Sequence, residues 1–297
     1  MGIKICLALG GGAARGLAHF GVIKVLEEAG IPIDMVAGTS LGALVGALYA
    51  ANPDASRLME QVISYLRSFR ARHTYLEFIH KIEDKSEGDR PLFADMANLV
   101  RKGYFWSRTA TKPAFITDRE YRRFIYPLLP DYRIEKLQIP FCCIATDIMS
   151  GARVVCRQGS IRHAVSASCA LPGIFPPVAD GERLLVDGGW VERVPVVAAR
   201  EMGADLVIAV DVSASLPTFS GGSGLDIIMR ANAVTRVHLN DVQIEGADVI
   251  MHPAVGNRHW ADFSRPEEMY QKGEEAARAM LPAIHAAITA RSCSPCP

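Results

Sequence analysis

Apolar and polar residues alternate along this chain in blocks that predict strands separated by helices. Short apolar runs predict buried strands near residues 3–9, 34–37, 140–147, 152–157, 183–187, 205–212 and 247–251. Longer segments with helical spacing of apolar residues lie near 16–29, 41–51, 54–67, 118–128, 160–169, 194–202, 224–244 and 266–290. Strands that alternate with helices predict an α/β protein whose helices cover both faces of a mainly parallel sheet.

One stretch interrupts this alternation. Residues 68–117 are charged, aromatic and broken by Gly and Pro, and connections longer than ~15 residues tend to be functional lids or disordered. We expect 68–117 to be a variable cover, with Tyr104, Phe105 and Trp106 contacting acyl chains or a membrane surface. Packing of these aromatics as a cap over the sheet is the alternative.

The rest of the chain shows no internal repeat and no domain boundary. Residues 1–292 are therefore expected to form a single domain, and residues 293–297 a flexible tail. The seven cysteines include Cys6, Cys142 and Cys143, whose positions in predicted strands favour buried free thiols. A C-x-x-C pair in the tail lacks a second pair or a nearby His, so it is weak evidence for a metal or redox site. We expect no metal and no cofactor.

The charge of the chain is balanced, with 32 basic and 32 acidic residues. This balance gives no general attraction to nucleic acid or to an anionic membrane, so no nucleic-acid partner is expected. The longest uncharged run, Met35 to Ala51, is shorter than the ~20 residues that span a bilayer. The first residues carry one lysine and an apolar run interrupted by Gly, so no secretory signal is expected. The expected location is the cytoplasm, with peripheral contact at the inner membrane face left open; the oligomeric state is not predicted.

The most informative motif is Gly38-Thr39-Ser40-Leu41-Gly42, which lies between a predicted strand and a predicted helix. A G-x-S-x-G sequence in this context is typical of a nucleophile elbow, in which a sharp turn exposes the serine hydroxyl. Gly38 and Gly42 support that turn, and the N-terminal end of the following helix favours a developing oxyanion. An ordinary glycine turn is the alternative.

A glycine loop, Gly10-Gly11-Gly12, joins the first predicted strand to the first helix and is followed by Arg15. Consecutive N–H groups in such a loop bind anions. A dinucleotide is one candidate anion, but Arg15 replaces a glycine of that fingerprint, and the second strand ends in glycine rather than an acidic residue. An oxyanion loop fits better.

A candidate base lies at the end of a third strand, in Asp187-Gly188-Gly189. Asp-Gly is also a common turn pair, and most such Asp side chains bond only their own backbone.

These blocks resemble the patatin-like phospholipase family, most closely its small stand-alone bacterial members. The resemblance lies in the segments Gly10–Gly16, Gly38–Gly42, Ala167–Pro172 and Asp187–Gly189, and it covers about residues 3–212. It implies a three-layer α/β/α patatin-like fold with a mainly parallel central sheet.

The resemblance also implies a serine acyl hydrolase with a Ser–Asp dyad and no histidine. Ser40 would be the nucleophile and Asp187 its direct general base, and the N–H groups of Gly10, Gly11 and Gly12 would form the oxyanion hole. Arg15 would hold the loop or meet an anionic head group. The implied substrate is a phospholipid, a lysophospholipid or another acyl ester.

Three alternatives stay open. A Ser-His-Asp triad could recruit His238, His252 or His259, which follow Asp187 in the chain order of α/β-hydrolases. The chain could instead be an acyl-binding or regulatory protein with only minor turnover, although such a role does not require Ser40, Asp187 and the glycine loop together. Nucleotide binding by the glycine loop is the third alternative.

Overall fold

A computed structural model describes residues 2–68, 107–108, 111–216, 218–219, 221–256 and 259–293. Its strands, numbered in chain order, are β1 (Ile5–Leu9), β2 (Met35–Thr39), β3 (Phe141–Asp147), β4 (Arg153–Cys156), β5 (Val178–Asp180), β6 (Arg183–Asp187), β7 (Leu206–Val210) and β8 (Val249–Met251). The α-helices described are α1 (Ala18–Glu28), α2 (Leu41–Ala51), α3 (Ala55–Arg67), α4 (Asp118–Ile125), α5 (Ile161–Ser168), α6 (Val196–Glu201), α7 (Gly224–Ile244) and α8 (Pro266–Cys293). No helix in these ranges is both long and apolar enough to cross a membrane.

The strands form one sheet in the order β5-β6-β3-β2-β1-β7-β8, and β4 also pairs with β3. The five strands from β3 to β8 in this order run parallel to one another. β4, β5 and β6 add antiparallel pairs at the β3 end. The predicted mainly parallel sheet is therefore confirmed. β5 was not predicted, since it has three residues and is partly exposed.

Helices cover both faces of the sheet, as the side chains of β1 show. Ile5, Leu7 and Leu9 belong to one buried cluster, which includes residues of α1, α2 and α8. Cys6 and Ala8 point the other way, into a second cluster with residues of α6. The fold is thus the expected three-layer α/β/α arrangement. Cys6, Cys142 and Cys143 are buried free thiols, as predicted.

The cover predicted at 68–117 lies mostly outside the described residues, as do Tyr104, Phe105, Trp106 and residues 294–297. Its C-terminal end is described and belongs to the core. Phe115 and Ile116 are buried, and their N–H groups donate to the carbonyl oxygens of Gly173 and Ile174. These hydrogen bonds tie the end of the segment to the loop that follows α5. The remainder of the cover stays a prediction.

Candidate active site

Ser40 occupies the turn between β2 and α2, at the C-terminal edge of the sheet. Its backbone has φ 55° and ψ −126°, and the only other non-glycine residue with positive φ among those described is Ala13. Such a conformation costs on the order of 1–3 kcal/mol, and it persists only where the surrounding structure enforces it. Strained residues cluster at functional sites, and both of these lie at this one, which makes it the candidate site.

The two flanking glycines of the elbow permit close backbone contacts. A Cβ on Gly38 would lie 2.5 Å from the Cα of Ala43, and one on Gly42 would lie 2.1 Å from the carbonyl oxygen of Leu9. Neither backbone atom can move without displacing a strand or a helix. The predicted need for glycine at both positions has this packing as its cause.

The last residue of α5 and the residue that follows it hold the elbow from its other side. Ser168 Oγ accepts a hydrogen bond from the Ser40 N–H at 2.9 Å, and Cys169 Sγ donates to the Ser40 carbonyl oxygen at 3.1 Å. Both backbone polar groups of the strained residue are therefore held by side chains. This contact gives the Ala167–Pro172 segment a positioning role that the sequence did not specify.

If the chain has the acyl hydrolase activity that the sequence resemblance implies, replacing Ser168 by Ala should lower kcat about 10- to 100-fold on a short soluble ester and change KM little. The substitution leaves the buried Ser40 N–H without its acceptor, which costs about 1–3 kcal/mol and releases the strained turn. Ser166→Ala is the matched control, because the Ser166 hydroxyl is buried without a hydrogen-bond partner in the described part of the chain. Steady-state kinetics on both variants test the role, and equal effects would assign Ser168 to packing alone.

Asp187 reaches the site through strand register. Thr39, the last residue of β2, pairs with Ile144 of β3, and the next residue of β3, Ala145, pairs with Asp187. Ser40 and Asp187 therefore come to the same level of the sheet, on either side of β3. The Asp187 turn packs closely on that strand, since a Cβ on Gly188 would lie 2.3 Å from the Ile144 carbonyl oxygen.

The Asp187 carboxyl is buried, with 2% of its surface exposed. Its Oδ1 accepts a hydrogen bond from the Gly189 N–H at 2.8 Å, while Oδ2 is buried and accepts none of normal geometry among the described residues. Burial raises the pKa of Asp187 to about 6, against the lowering effects of the Ser40 hydroxyl, the Gly189 N–H, Arg236 and Arg193. The pKa thus lies close to neutral, where a general base works best.

The carbonyl groups of the glycine loop are held by two buried side chains. His19 Nε2 lies 2.8 Å from the Gly10 carbonyl oxygen, and Arg15 Nε donates to that of Gly12 at 3.2 Å. Burial lowers the pKa of His19 to about 4, so the imidazole is neutral and its Nε2–H donates. Arg15 therefore holds the loop, as one of its two expected roles requires.

The N–H groups of this loop differ from the expected set of donors. Those of Gly10 and Gly11 donate to the carbonyl oxygens of Val210 and Arg193, each at 3.0 Å. In the described residues, the N–H groups of Gly12 and Ala13 donate to no backbone carbonyl. The loop still contacts the elbow, since a Cβ on Gly11 would lie 3.2 Å from Ser40 Cβ. Because a trans peptide directs its N–H opposite to its C=O, the Arg15 bond to the Gly12 carbonyl also fixes the Ala13 N–H.

An apolar cleft opens beside Ser40. It holds about 660 Å³ of space outside the protein atoms, part of it open to solvent. Besides Ser40, its lining is almost entirely aliphatic and aromatic and includes Ala13, Leu44, Leu66, Leu128, Phe175, Trp260 and Phe263. A cleft with this apolar lining suits an acyl chain.

Residues 7–200, well over half of the chain, match the family model described as patatin-like phospholipase. The chain belongs to the patatin-like phospholipase family. The resemblance noted in the sequence is thereby confirmed.

Named relatives share the family. The mouse protein "Patatin-like phospholipase domain-containing protein 6" is 36% identical over 213 residues, which cover 71% of this chain and 14% of that protein. "Lysophospholipase NTE1" of Kluyveromyces lactis is 30% identical over 298 residues, which cover 92% of this chain and 19% of that protein. The chain thus spans less than a fifth of the length of these relatives. Its closer resemblance to small stand-alone bacterial members stays a prediction.

Two solved structures are similar to this chain at low identity. VipD from Legionella pneumophila is 15% identical with a TM-score of 0.49, over 95% of this chain and 67% of that one. A human GIVD cytosolic phospholipase A2 is 13% identical with a TM-score of 0.43, over 98% and 60%.

The three histidines of the alternative triad have other surroundings in this patatin-like domain. His238 is exposed on α7, His252 Nδ1 lies 3.8 Å from Asp211 Oδ2, and His259 Nδ1 accepts from the Ala261 N–H at 3.2 Å. Among the described residues, no three His, Cys, Asp or Glu side chains are grouped to hold a metal ion.

Several groups that this patatin-like site brings together had no role assigned to them from the sequence. Ala13 has no polar or reactive side-chain group, and only its positive φ shows that it belongs to the site. Ser168 lies in Ala167–Pro172, one of the segments that carry the family resemblance. Such a segment indicates that the chain belongs to the family, but it does not show which residues Ser168 contacts. Trp260 and Phe263 lie far along the chain from every motif, so only the folded structure brings them to the cleft.

Proposed function

We propose that this chain is a serine acyl hydrolase of the esterase or lysophospholipase type, which cleaves lipid carboxylic esters through a Ser40–Asp187 dyad. The observation that carries the proposal is the position of strained Ser40, beside a buried carboxyl and in the wall of an apolar cleft. The names of the relatives, phospholipase and lysophospholipase, agree with this chemistry.

In the proposed reaction, the Ser40 hydroxyl oxygen attacks the ester carbonyl carbon while Asp187 takes its proton. The new C–O bond forces the carbonyl electrons onto oxygen, and the tetrahedral oxyanion collapses as the alcohol leaves with the proton from Asp187. Water then repeats the sequence on the acyl-enzyme and releases the fatty acid. Asp187 must be ionised to begin, and with a pKa of about 6 it is mostly ionised at neutral pH.

For the oxyanion hole, we assign the N–H groups of Gly12 and Ala13. The N–H groups of Gly10 and Gly11 are engaged by backbone carbonyls, so they hold the loop in position instead. The N-terminal end of α2 adds a favourable dipole at Ser40. Preorganised donors of this kind contribute about 3–4 kcal/mol each to the transition state.

The cleft would hold the acyl chain, and filling it should change chain-length preference. Leu66→Trp places a larger side chain in the lining contributed by α3, and we expect kcat/KM for a palmitoyl ester to fall about tenfold or more while a butyryl ester is spared. Ser64→Trp on the exposed side of the same helix is the control. Parallel losses on both esters would place the acyl chain elsewhere.

The test of the proposed function is a fluorophosphonate labelling assay, followed by a panel of short esters, monoacylglycerols and lysophospholipids. We expect labelling at Ser40 and steady release of fatty acid, unchanged by a chelator because the proposed mechanism uses no metal. Stoichiometric acyl binding without turnover would support the acyl-binding alternative instead.

The proposal includes peripheral contact with a lipid surface, for which α7 is the candidate element. Its exposed large apolar side chains are Leu225, Ile227, Ile228, Met229, Val234, Leu239 and Val242. A helix that exposes this many large apolar side chains is a candidate interaction surface. The same helix adjoins the site, since its Arg236 stacks on Trp190, three residues after Asp187. Lipid esters are held in aggregates, so a surface adjoining the site is where such an aggregate would meet the protein.

The double variant Ile228→Ser, Met229→Ser should bind phosphatidylcholine vesicles several-fold more weakly and keep its activity on a short soluble ester. Cosedimentation measures the binding, and thermal unfolding and light scattering serve as controls. A large fall in Tm would show that the face packs within the protein. A dimer that the substitutions dissociate would show that a second copy covers it, and either result contradicts lipid contact.

A further inference from the structure

Arg236 reaches from α7 to the Asp187 turn. Its guanidinium carbon lies 4.6 Å from the centre of the Trp190 ring, and Trp190 ends the short helix that begins directly after Asp187. A second contact anchors α7 there, because Gln243 Nε2 donates to the Val191 carbonyl oxygen at 2.9 Å. Among the described residues, no carboxylate forms a salt bridge with Arg236, so stacking on Trp190 positions this cation.

Arg193 approaches the same place from the other side. Its carbonyl oxygen accepts the Gly11 N–H, so its backbone lies against the glycine loop that contacts Ser40. Its side chain is only partly buried. The charge of Arg193 acts on both Asp187 and Arg236, so the two arginines, which come from separate elements, belong to one cluster with Asp187.

The charges of these two groups are incompletely balanced. Burial and the nearby Arg193 lower the pKa of Arg236, while Asp187 acts in the opposite direction. The Nε–H of Arg236 is buried and finds no hydrogen-bond acceptor in the part of the chain that the structure describes. A desolvated cation beside a like charge, with an unused donor, is a favourable partner for an anion.

We infer that Arg193 and Arg236 form a phosphate subsite, which binds the headgroup phosphate of a lysophospholipid or phospholipid whose ester lies at Ser40. The inference rests on the proposed hydrolase function and narrows its substrate class to phosphate-bearing lipids over neutral glycerides. Paired guanidinium groups suit phosphate because their planar N–H donors match its oxygens. Trp190 holds one of them in a fixed orientation.

The test compares two substrates with the same acyl chain, 1-palmitoyl-lysophosphatidylcholine and 1-palmitoylglycerol, in the same detergent at pH 8. This pH keeps Asp187 ionised even if the loss of a nearby cation raises its pKa. Arg236→Gln and Arg193→Gln should each lower kcat/KM for the phosphate-bearing substrate about 10- to 100-fold, and leave that for the glyceride unchanged. Arg236→Lys, which keeps the charge without the planar donors, should be intermediate. Arg230→Gln is the matched control, since Arg230 lies on the same helix but packs over Phe219.

Inorganic phosphate separates a headgroup site from a site for free phosphate. We expect it to compete with 1-palmitoyl-lysophosphatidylcholine in the wild type, and this inhibition should be lost in Arg236→Gln. Inhibition by inorganic phosphate without any effect of Arg236→Gln on the substrate preference would overturn the headgroup assignment. Equal losses on both substrates would do so as well, because the arginines would then act through Asp187. If the wild type hydrolyses neither substrate and resists labelling, it is the hydrolase function that fails.

Discussion

Replacing Ser40 by Ala is expected to abolish ester hydrolysis and fluorophosphonate labelling while the protein stays folded. Only the hydroxyl is lost, and removal of a serine nucleophile lowers kcat by on the order of 10⁴-fold or more. The turn depends on the close backbone contacts at Gly38 and Gly42, which the substitution leaves in place. Labelling that persists in Ser40→Ala would put the nucleophile elsewhere, with buried Ser168 the neighbour to examine first.

Ser40→Gly provides a control that separates chemistry from strain. Both variants lack the hydroxyl. Alanine, like serine, has a conformational cost of about 1–3 kcal/mol at this positive φ, whereas glycine adopts it without that cost. The greater flexibility of glycine in the unfolded chain offsets about 0.5–1 kcal/mol of that gain. We expect Ser40→Gly to be equally inactive and more stable than Ser40→Ala by about 1 kcal/mol, as measured by urea denaturation. Equal stabilities would mean that the elbow stores no strain.

Most strands and helices could be predicted from this sequence because each is an apolar segment that ends at glycine, proline or another turn residue. β1 and α2 illustrate this, since Ile5–Leu9 ends at the glycine loop and Leu41–Ala51 ends before Asn52-Pro53. β5 escaped prediction because three partly exposed residues carry no periodic signal.

Some parts of the candidate site could be predicted from the sequence and others could not. Ser40 and Asp187 lie in motifs whose residues carry the chemistry, so the sequence suffices to nominate them. Which loop N–H groups are available depends on where the Gly10 and Gly12 carbonyls point, and that is set by hydrogen bonds from His19 and Arg15. The motif predicts that Arg15 holds the loop, but it does not give the direction of either carbonyl. The hydrogen bond between Ser168 and the elbow could not be predicted either, because it joins residues far apart in the sequence.

Asp187→Asn is expected to lower kcat by orders of magnitude, since an Asn side chain cannot take the Ser40 proton. The wild-type kcat/KM should rise with pH through about 6, where the buried carboxyl ionises. Single substitutions of His238, His252 and His259 are the controls and should change activity little. A histidine variant as inactive as Ser40→Ala, with its fold intact, would restore the triad.

The same substitution should stabilise the protein, because burial disfavours the charged carboxylate. The pKa rises from 3.8, the ordinary value for an aspartic acid side chain in water, to about 6 in the folded chain, so folding favours the protonated form. Below pH ~4 the carboxyl is protonated in both states and adds no penalty. As the pH rises through about 6 the penalty becomes complete, and at about 1.4 kcal/mol per pKa unit it reaches about 3 kcal/mol.

Asp187→Asn keeps the uncharged shape and an oxygen for the Gly189 N–H. The free energy of unfolding of the variant should therefore approach that of the wild type as the pH falls below about 4, and exceed it by up to about 3 kcal/mol at pH 8. A difference that does not depend on pH would mean that the buried carboxyl is not destabilised by its charge, and it would remove the physical reason for a base poised near neutrality.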